Sequence, residues 1–192
     1  MRCTLFCRGL VATALMGLSA CVQPDISARP QTSEVTPRWH TLTNPAAWRV
    51  AEADDDPLEE HRPSPLVCSP QPWHAVAQGI EADTSECNYV HLTTPLTADI
   101  DEGDPIAVDV WWNALASVAP AEGHLALFIG GQAVWETHVE IPGPADAQQF
   151  EFPSPFSAFV GEDVTFHLHN HGFNTWTLAR FAVLNDQEPT QP

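Results

Sequence analysis

The feature that most constrains the fold is a two-residue alternation that recurs from Trp73 to Leu184 and never lengthens into a helical period. Ile106, Val108, Val110 and Trp112 alternate with Ala107, Asp109, Trp111 and Asn113. Val164, Phe166 and Leu168 alternate with Thr165, His167 and His169. Successive side chains of a strand point to opposite faces, so each run reads as a strand with one buried face. The runs are Trp73–Val76, Gly79–Asp83, Tyr89–Thr94, Ile106–Asn113, His124–Ile129, Ala133–Ile141, Gln148–Phe152, Val164–Asn170 and Trp176–Leu184. Gly130-Gly131 between two of them signals a tight hairpin. Short strands divided by Gly, Pro and Asp predict an all-β fold, an antiparallel β-sandwich of the jelly-roll kind. The expected core is Val90, Leu92, Val108, Val110, Leu125, Leu127, Val139, Phe166, Leu168 and Leu178.

The sandwich is expected over 66–186, with 187–192 as a disordered tail. Ahead of it, 39–65 is an acidic, proline-punctuated leader, mostly irregular, with a helix expected near Pro57–His61. Trp39, Trp48 and Val50 give that leader something to pack with. The stretch 21–38 is polar and aperiodic and reads as a flexible tether.

At the N-terminus, Arg2 and Arg8 precede an apolar run from Leu10 to Leu18, too short for a good membrane span. It closes on Leu18-Ser19-Ala20-Cys21, which resembles the lipobox of a bacterial lipoprotein. The resemblance implies removal of 1–20 as a signal peptide, lipid on the thiol and new amino group of Cys21, and tethering in the bacterial cell envelope. An ordinary signal peptide cut near Ala20 is the alternative. Val22, rather than Asp, after the cysteine resembles the outer-membrane sorting pattern of cells with two membranes. Cys87-Asn88-Tyr89, His169-Asn170-His171-Gly172 and Asn174-x-Trp176 resemble predicted secreted lipoproteins without assigned function, a likeness that implies no activity.

Export leaves an even pair of cysteines, because Cys3 and Cys7 depart with the signal peptide and Cys21 takes lipid. Cys68 and Cys87 are therefore expected to form a disulfide, worth roughly 3 kcal/mol in the chain-entropy view. The chain has no lysine and a formal net charge of -18. That argues against nucleic acid as a partner, because phosphates must be neutralised by Lys and Arg. It also makes the lipid anchor, not the surface, the expected membrane contact, and it favours solubility.

The sharpest local feature is Phe166-His167-Leu168-His169-Asn170-His171-Gly172. With Phe166 and Leu168 inward, His167 and His169 share the opposite face, roughly 7 Å apart at Cα. His171 joins them if the strand continues. Such a pair can converge on Zn²⁺ or Cu²⁺ with nitrogens at about 2.0 Å. His91 and His138 have the parity to supply a third ligand, with Glu136 and Glu140 on the face of His138. The plainer reading is a polar outer face of hydrogen-bonded histidines. Asn170 and Asn174 stand either at a ligand site or in a hairpin that their side chains hold.

Adjacent Trp111 and Trp112 must face opposite ways. Trp112 shares the inward parity, which turns Trp111 outward beside Asp109 and Asn113. A flat aromatic flanked by an acid and an amide suits a sugar ring, unless the leader covers it. The turn Asp99, Asp101, Glu102, Asp104 offers hard oxygens for a structural Ca²⁺, or is simply a turn kept soluble by its acids. No nucleophile elbow, zinc-protease helix, phosphate loop or dinucleotide fingerprint occurs. The function expected is a non-catalytic binding or structural module in the envelope, with glycan the leading ligand class. Zn or Cu binding through the His strand is the alternative, and a hydrolase with unidentified carboxylates is the third class.

Overall fold

A computed structural model describes residues 36–186. The lipobox with Cys21, most of the 21–38 tether and the 187–192 tail lie outside the described residues. Eleven strands follow in order: β1 Arg38–Thr41, β2 Arg49–Val50, β3 Trp73–Val76, β4 Gly79–Asp83, β5 Tyr89–Pro95, β6 Pro105–Trp112, β7 Ala121–Ile129, β8 Gln132–Ile141, β9 Asp146–Pro153, β10 Asp163–His169 and β11 Thr175–Asn185. All nine runs of alternation are strands.

The strands form two antiparallel sheets. One runs β3-β4-β11-β6-β9, with β1 also paired to β11; the other runs β2-β5-β10-β7-β8. The pairing is nested. The β7–β8 hairpin is innermost, then β6 with β9, β5 with β10, and β4 with β11, alternating between sheets. A long antiparallel ribbon rolled in this way is a jelly roll. Gly130 and Gly131 both have positive φ (55 and 78) at the innermost turn, the conformation that a tight hairpin requires.

The core lies between the sheets. Val90, Leu92, Val108, Val110, Leu125, Leu127, Phe166, Leu168 and Leu178 are buried there with Trp112 and Trp176. Each fully buried Leu or Phe stabilises by about 1.5–3 kcal/mol. Val139, expected in the core, is only partly buried because β8 is an edge strand. Cys68 and Cys87 are bonded, with Cα atoms 3.9 Å apart.

The leader is woven into this frame. β1 joins one sheet, β2 joins the other, and Leu42 and Trp48 are buried between them. Trp48 meets Phe166 edge to face at 6.4 Å. Trp39 and Val50 stay exposed, with the Arg180 guanidinium 5.1 Å over the Trp39 ring. After β2, residues 51–65 cross the outer face of the β2-β5-β10-β7-β8 sheet as a strap. Its turn at Glu59–His61 is a 3-10 helix.

Candidate metal centre

The face of the sheet beneath the strap is built by register. His169 lies between Tyr89 of β5 and His124 of β7, and His124 pairs onward with His138 of β8. One row along, His167 lies between His91 and Ala126, and Ala126 pairs with Glu136. His167 and His169 thus share the face opposite Phe166 and Leu168. That face is not the open polar surface the alternation implied. His167 is 0% exposed, and His91 and His124 are buried, because the strap closes over them.

The strap is held by a buried clasp. Asp56, its carboxylate out of solvent, accepts from the Tyr89 hydroxyl at 2.6 Å, from Arg62 at 2.8 Å and from the Leu58 N–H at 3.0 Å. Burial opposes ionisation of Asp56, but the Tyr89, Arg62 and Leu58 hydrogen bonds win and leave its pKa below the usual value. The same contact acts on Tyr89, whose phenol is pushed up by burial and by the adjacent carboxylate. Clasped in this way, the strap carries His61 to the sheet. Its ring centroid is 5.4 Å from that of His124 and 5.8 Å from that of His167, and those two are 5.1 Å apart.

Among the described residues, two sets of side chains bring three ligand atoms within 4.8 Å of one another: His61, His124 and His167, and His124, Glu136 and His138. The first is buried or half-buried. Both ring nitrogens of His167, Nδ1 of His124 and Nδ1 of His61 are buried without a hydrogen-bond partner. Buried polar atoms are almost always paired, and each orphan costs about 1–3 kcal/mol. Burial, and then the neighbouring His124, push the His167 pKa down to about 3. Burial also lowers His91, His124 and His169, with His138 adding to the effect at His124 and His171 at His169. His91, His124, His167 and His169 are therefore pushed toward the neutral form, the state in which imidazole ligates metal.

The second set faces solvent. His124 stacks on His138 with centroids 4.2 Å apart and planes 6° from parallel. His124 Nε2 lies 3.3 Å from Glu136, and His138 Nδ1 lies 2.8 Å from Glu122. A cleft of 440 Å³ opens here, lined by His61, Pro120, Ala121, Glu122, His124, His138, His169 and His171.

The structure separates the residues that the sequence singled out. His167 and His138 each belong to a donor set. His169 borders His61 (6.3 Å between centroids) and His171 (4.7 Å) without joining either set. His91 lies on the other side of His167, with Nδ1 3.8 Å from Asp56. Asn170 and Asn174 are buried and their amides are occupied. Asn170 donates to Thr84 Oγ1 at 2.7 Å and to the Gly172 carbonyl at 2.9 Å, and it accepts from Asn174 at 2.9 Å and from the Trp176 indole at 3.2 Å. Asn174 accepts from the Ala116 N–H at 2.8 Å. These amides hold the turn, which is the structural alternative for them. Trp111 and Asp109 lie on the other sheet, and Asn113 follows the end of β6. Trp111 is half-buried and Asn113 exposed, while Asp109 is tied to Arg180 at 2.9 Å. In the acidic turn, Asp99 accepts from the Val160 N–H at 2.7 Å and Asp104 from the Asp101 N–H at 3.0 Å.

His61 and His124 were not singled out by the sequence reading. His124 was within reach, since it alternates with inward Leu125 and Leu127. His61 sits on an aperiodic segment whose path over the sheet no local pattern encodes.

No protein-family model matches the sequence, and no curated protein matches it. Among solved structures the chain is similar to one described as "CBM4 structure and function", at 8% identity and TM-score 0.39 over 59% of this chain and 75% of that one. It is similar to TmCBM61 in complex with β-1,4-galactotriose at 10% identity and TM-score 0.36, over 78% of this chain and 88% of that one. A third is CBM51-2 in complex with GlcNAc, with INT domains, from Clostridium perfringens ZmpB, at 13% identity and TM-score 0.34 over 62% of this chain and 24% of that one. All three TM-scores lie below 0.5, and the β-sandwich of this chain is shown by its own strand pairing.

Proposed function

We propose that this domain binds a transition-metal ion, Zn²⁺ or Cu²⁺, between the strap and the sheet, with His61, His124 and His167 as ligands. The observation that carries the reading is His167, fully buried with neither ring nitrogen bonded, beside two more imidazoles whose donors lie within 4.8 Å. Tetrahedral donors at about 2.0 Å from Zn²⁺ stand about 3.3 Å apart, so the three nitrogens, within 4.8 Å of one another, would have to close together on an ion. A bound ion would pair one nitrogen of each ring, including one of the two orphaned on His167, and stabilise the buried cluster. Metal analysis and Zn²⁺ and Cu²⁺ titration of the purified, tag-free protein test this. One ion per chain in the wild type, lost in His167→Ala, is the expected result; equal uptake by both overturns it.

Glycan binding is the second reading, supported by half-buried Trp111 on the opposite sheet and exposed Asn113 just past the end of its strand. Glycan-array binding that Trp111→Ala abolishes would support it. The envelope setting rests on the lipobox, and with it the proposal that Cys21 carries the anchor.

A further inference from the structure

An ion site beneath the strap needs a route in. The cleft supplies one, because two of its wall residues, His61 and His124, are also ligands of the buried set. At its solvent side stands His138, its side chain 47% exposed; Glu136, 60% exposed, lies next to the cleft wall against His124 Nε2, and the two form the second donor set with the same His124. His124 is thus common to both. Its Nε2 is directed at Glu136 and its Nδ1 is buried and unbonded. Glu122 ties down His138 Nδ1 at 2.8 Å. A carboxylate on one ring nitrogen fixes the tautomer and leaves the lone pair of the other for a metal.

We propose that Glu136 and His138, with His124, form a capture site at the cleft mouth for a hydrated divalent ion, Zn²⁺ or Cu²⁺, and pass it inward to the buried set. The proposal rests on the buried set being a metal site. The acidic chain draws cations toward this mouth. Carboxylate and imidazole replace part of the ion's water there. Exchange of the ion onto the inner side of the shared imidazole then brings it within reach of His61 and His167. Capture releases water; the inward step breaks the ion's bonds to Glu136 and His138, forms bonds to His61 and His167, and moves the His124 ring proton from Nδ1 to Nε2, where the freed Glu136 carboxylate accepts its hydrogen bond.

The test uses the full-length, metal-free protein and Zn²⁺ alone, supplied from a chromogenic chelator whose colour reports uptake. Wild type is expected to load quickly. Glu136→Gln with His138→Ala is expected to load at least ten-fold more slowly and reach the same tightly held zinc per chain. Glu122→Gln, a milder change, is expected to slow loading several-fold. His167→Ala is expected to keep a weak, quickly exchanging zinc that is lost when His138→Ala is added. Loading of the double variant at the wild-type rate overturns the capture site and leaves the buried site standing. Loss of tightly held zinc in that variant also overturns it, because the two residues would then be ligands of the resting site. Wild type that holds no zinc overturns both readings.

Discussion

The Tyr89 hydroxyl donates to Asp56 Oδ2 at 2.6 Å, joining strand β5 to the strap that covers it. Arg62 reaches the same carboxylate oxygen at 2.8 Å and lies 5.3 Å over the Tyr89 ring. One buried carboxylate therefore decides whether His61 is delivered to the sheet.

Tyr89→Phe should destabilise the protein by about 1–3 kcal/mol, the cost of a lost hydrogen bond to a buried charge. Its signature is local. Amide exchange should accelerate over 56–62 while β10 and β11 remain protected. Urea denaturation together with hydrogen exchange reads both effects, and unchanged strap protection would refute the clasp.

Acid should destabilise the metal-free protein. His167 titrates near 3 in the folded chain against an ordinary 6.5, and His91, His124 and His169 are lowered in the same direction. Below about pH 6.5 the unfolded chain binds protons that the folded chain refuses, so stability is complete above that pH and falls toward about pH 3. Each such group contributes up to about 1.4 kcal/mol per pH unit in its window. Denaturation midpoints between pH 4 and pH 8 check this, and His167→Phe should flatten the profile.

Phe166→Ala should cost about 3–5 kcal/mol, since the ring is buried on the inner face of β10 against Trp48. The circular-dichroism spectrum should keep its β character. A loss under about 1 kcal/mol would mean that the two sheets do not close on this ring.

Mass spectrometry of the mature protein should find Cys21 as the lipid-modified N-terminus and no free thiol at Cys68 or Cys87. Reduction should lower stability by about 3 kcal/mol. An unmodified N-terminus near residue 21 would favour an ordinary signal peptide.

The strands were legible because alternation is a local signal that burial of one face imposes. β1 and β2 were not, because they are short and their partners, Ala182 to Asn185 and Leu92 to Thr93, lie far along the chain. The histidine face was legible from Phe166 and Leu168. Its burial was not, because exposure of a sheet face depends on what crosses it, and the strap's course is fixed by Asp56 meeting Tyr89. The Asn170 and Asn174 amides looked equally fit for a ligand or a turn; only the positions of Thr84 and Trp176 decide between them.

With an ion bound, the strap gains a consequence for the unfolded chain. The disulfide spans 19 residues, whereas His61 and His167 stand about a hundred apart, and a longer tie removes more freedom: about 3 kcal/mol against about 4.7 in the chain-entropy view. The protein would then hold a short, permanent cross-link and a long, reversible one. Its lifetime would follow the free-metal level of its surroundings, and a chelator would act on it as an unfolding agent where a reductant has the smaller hold.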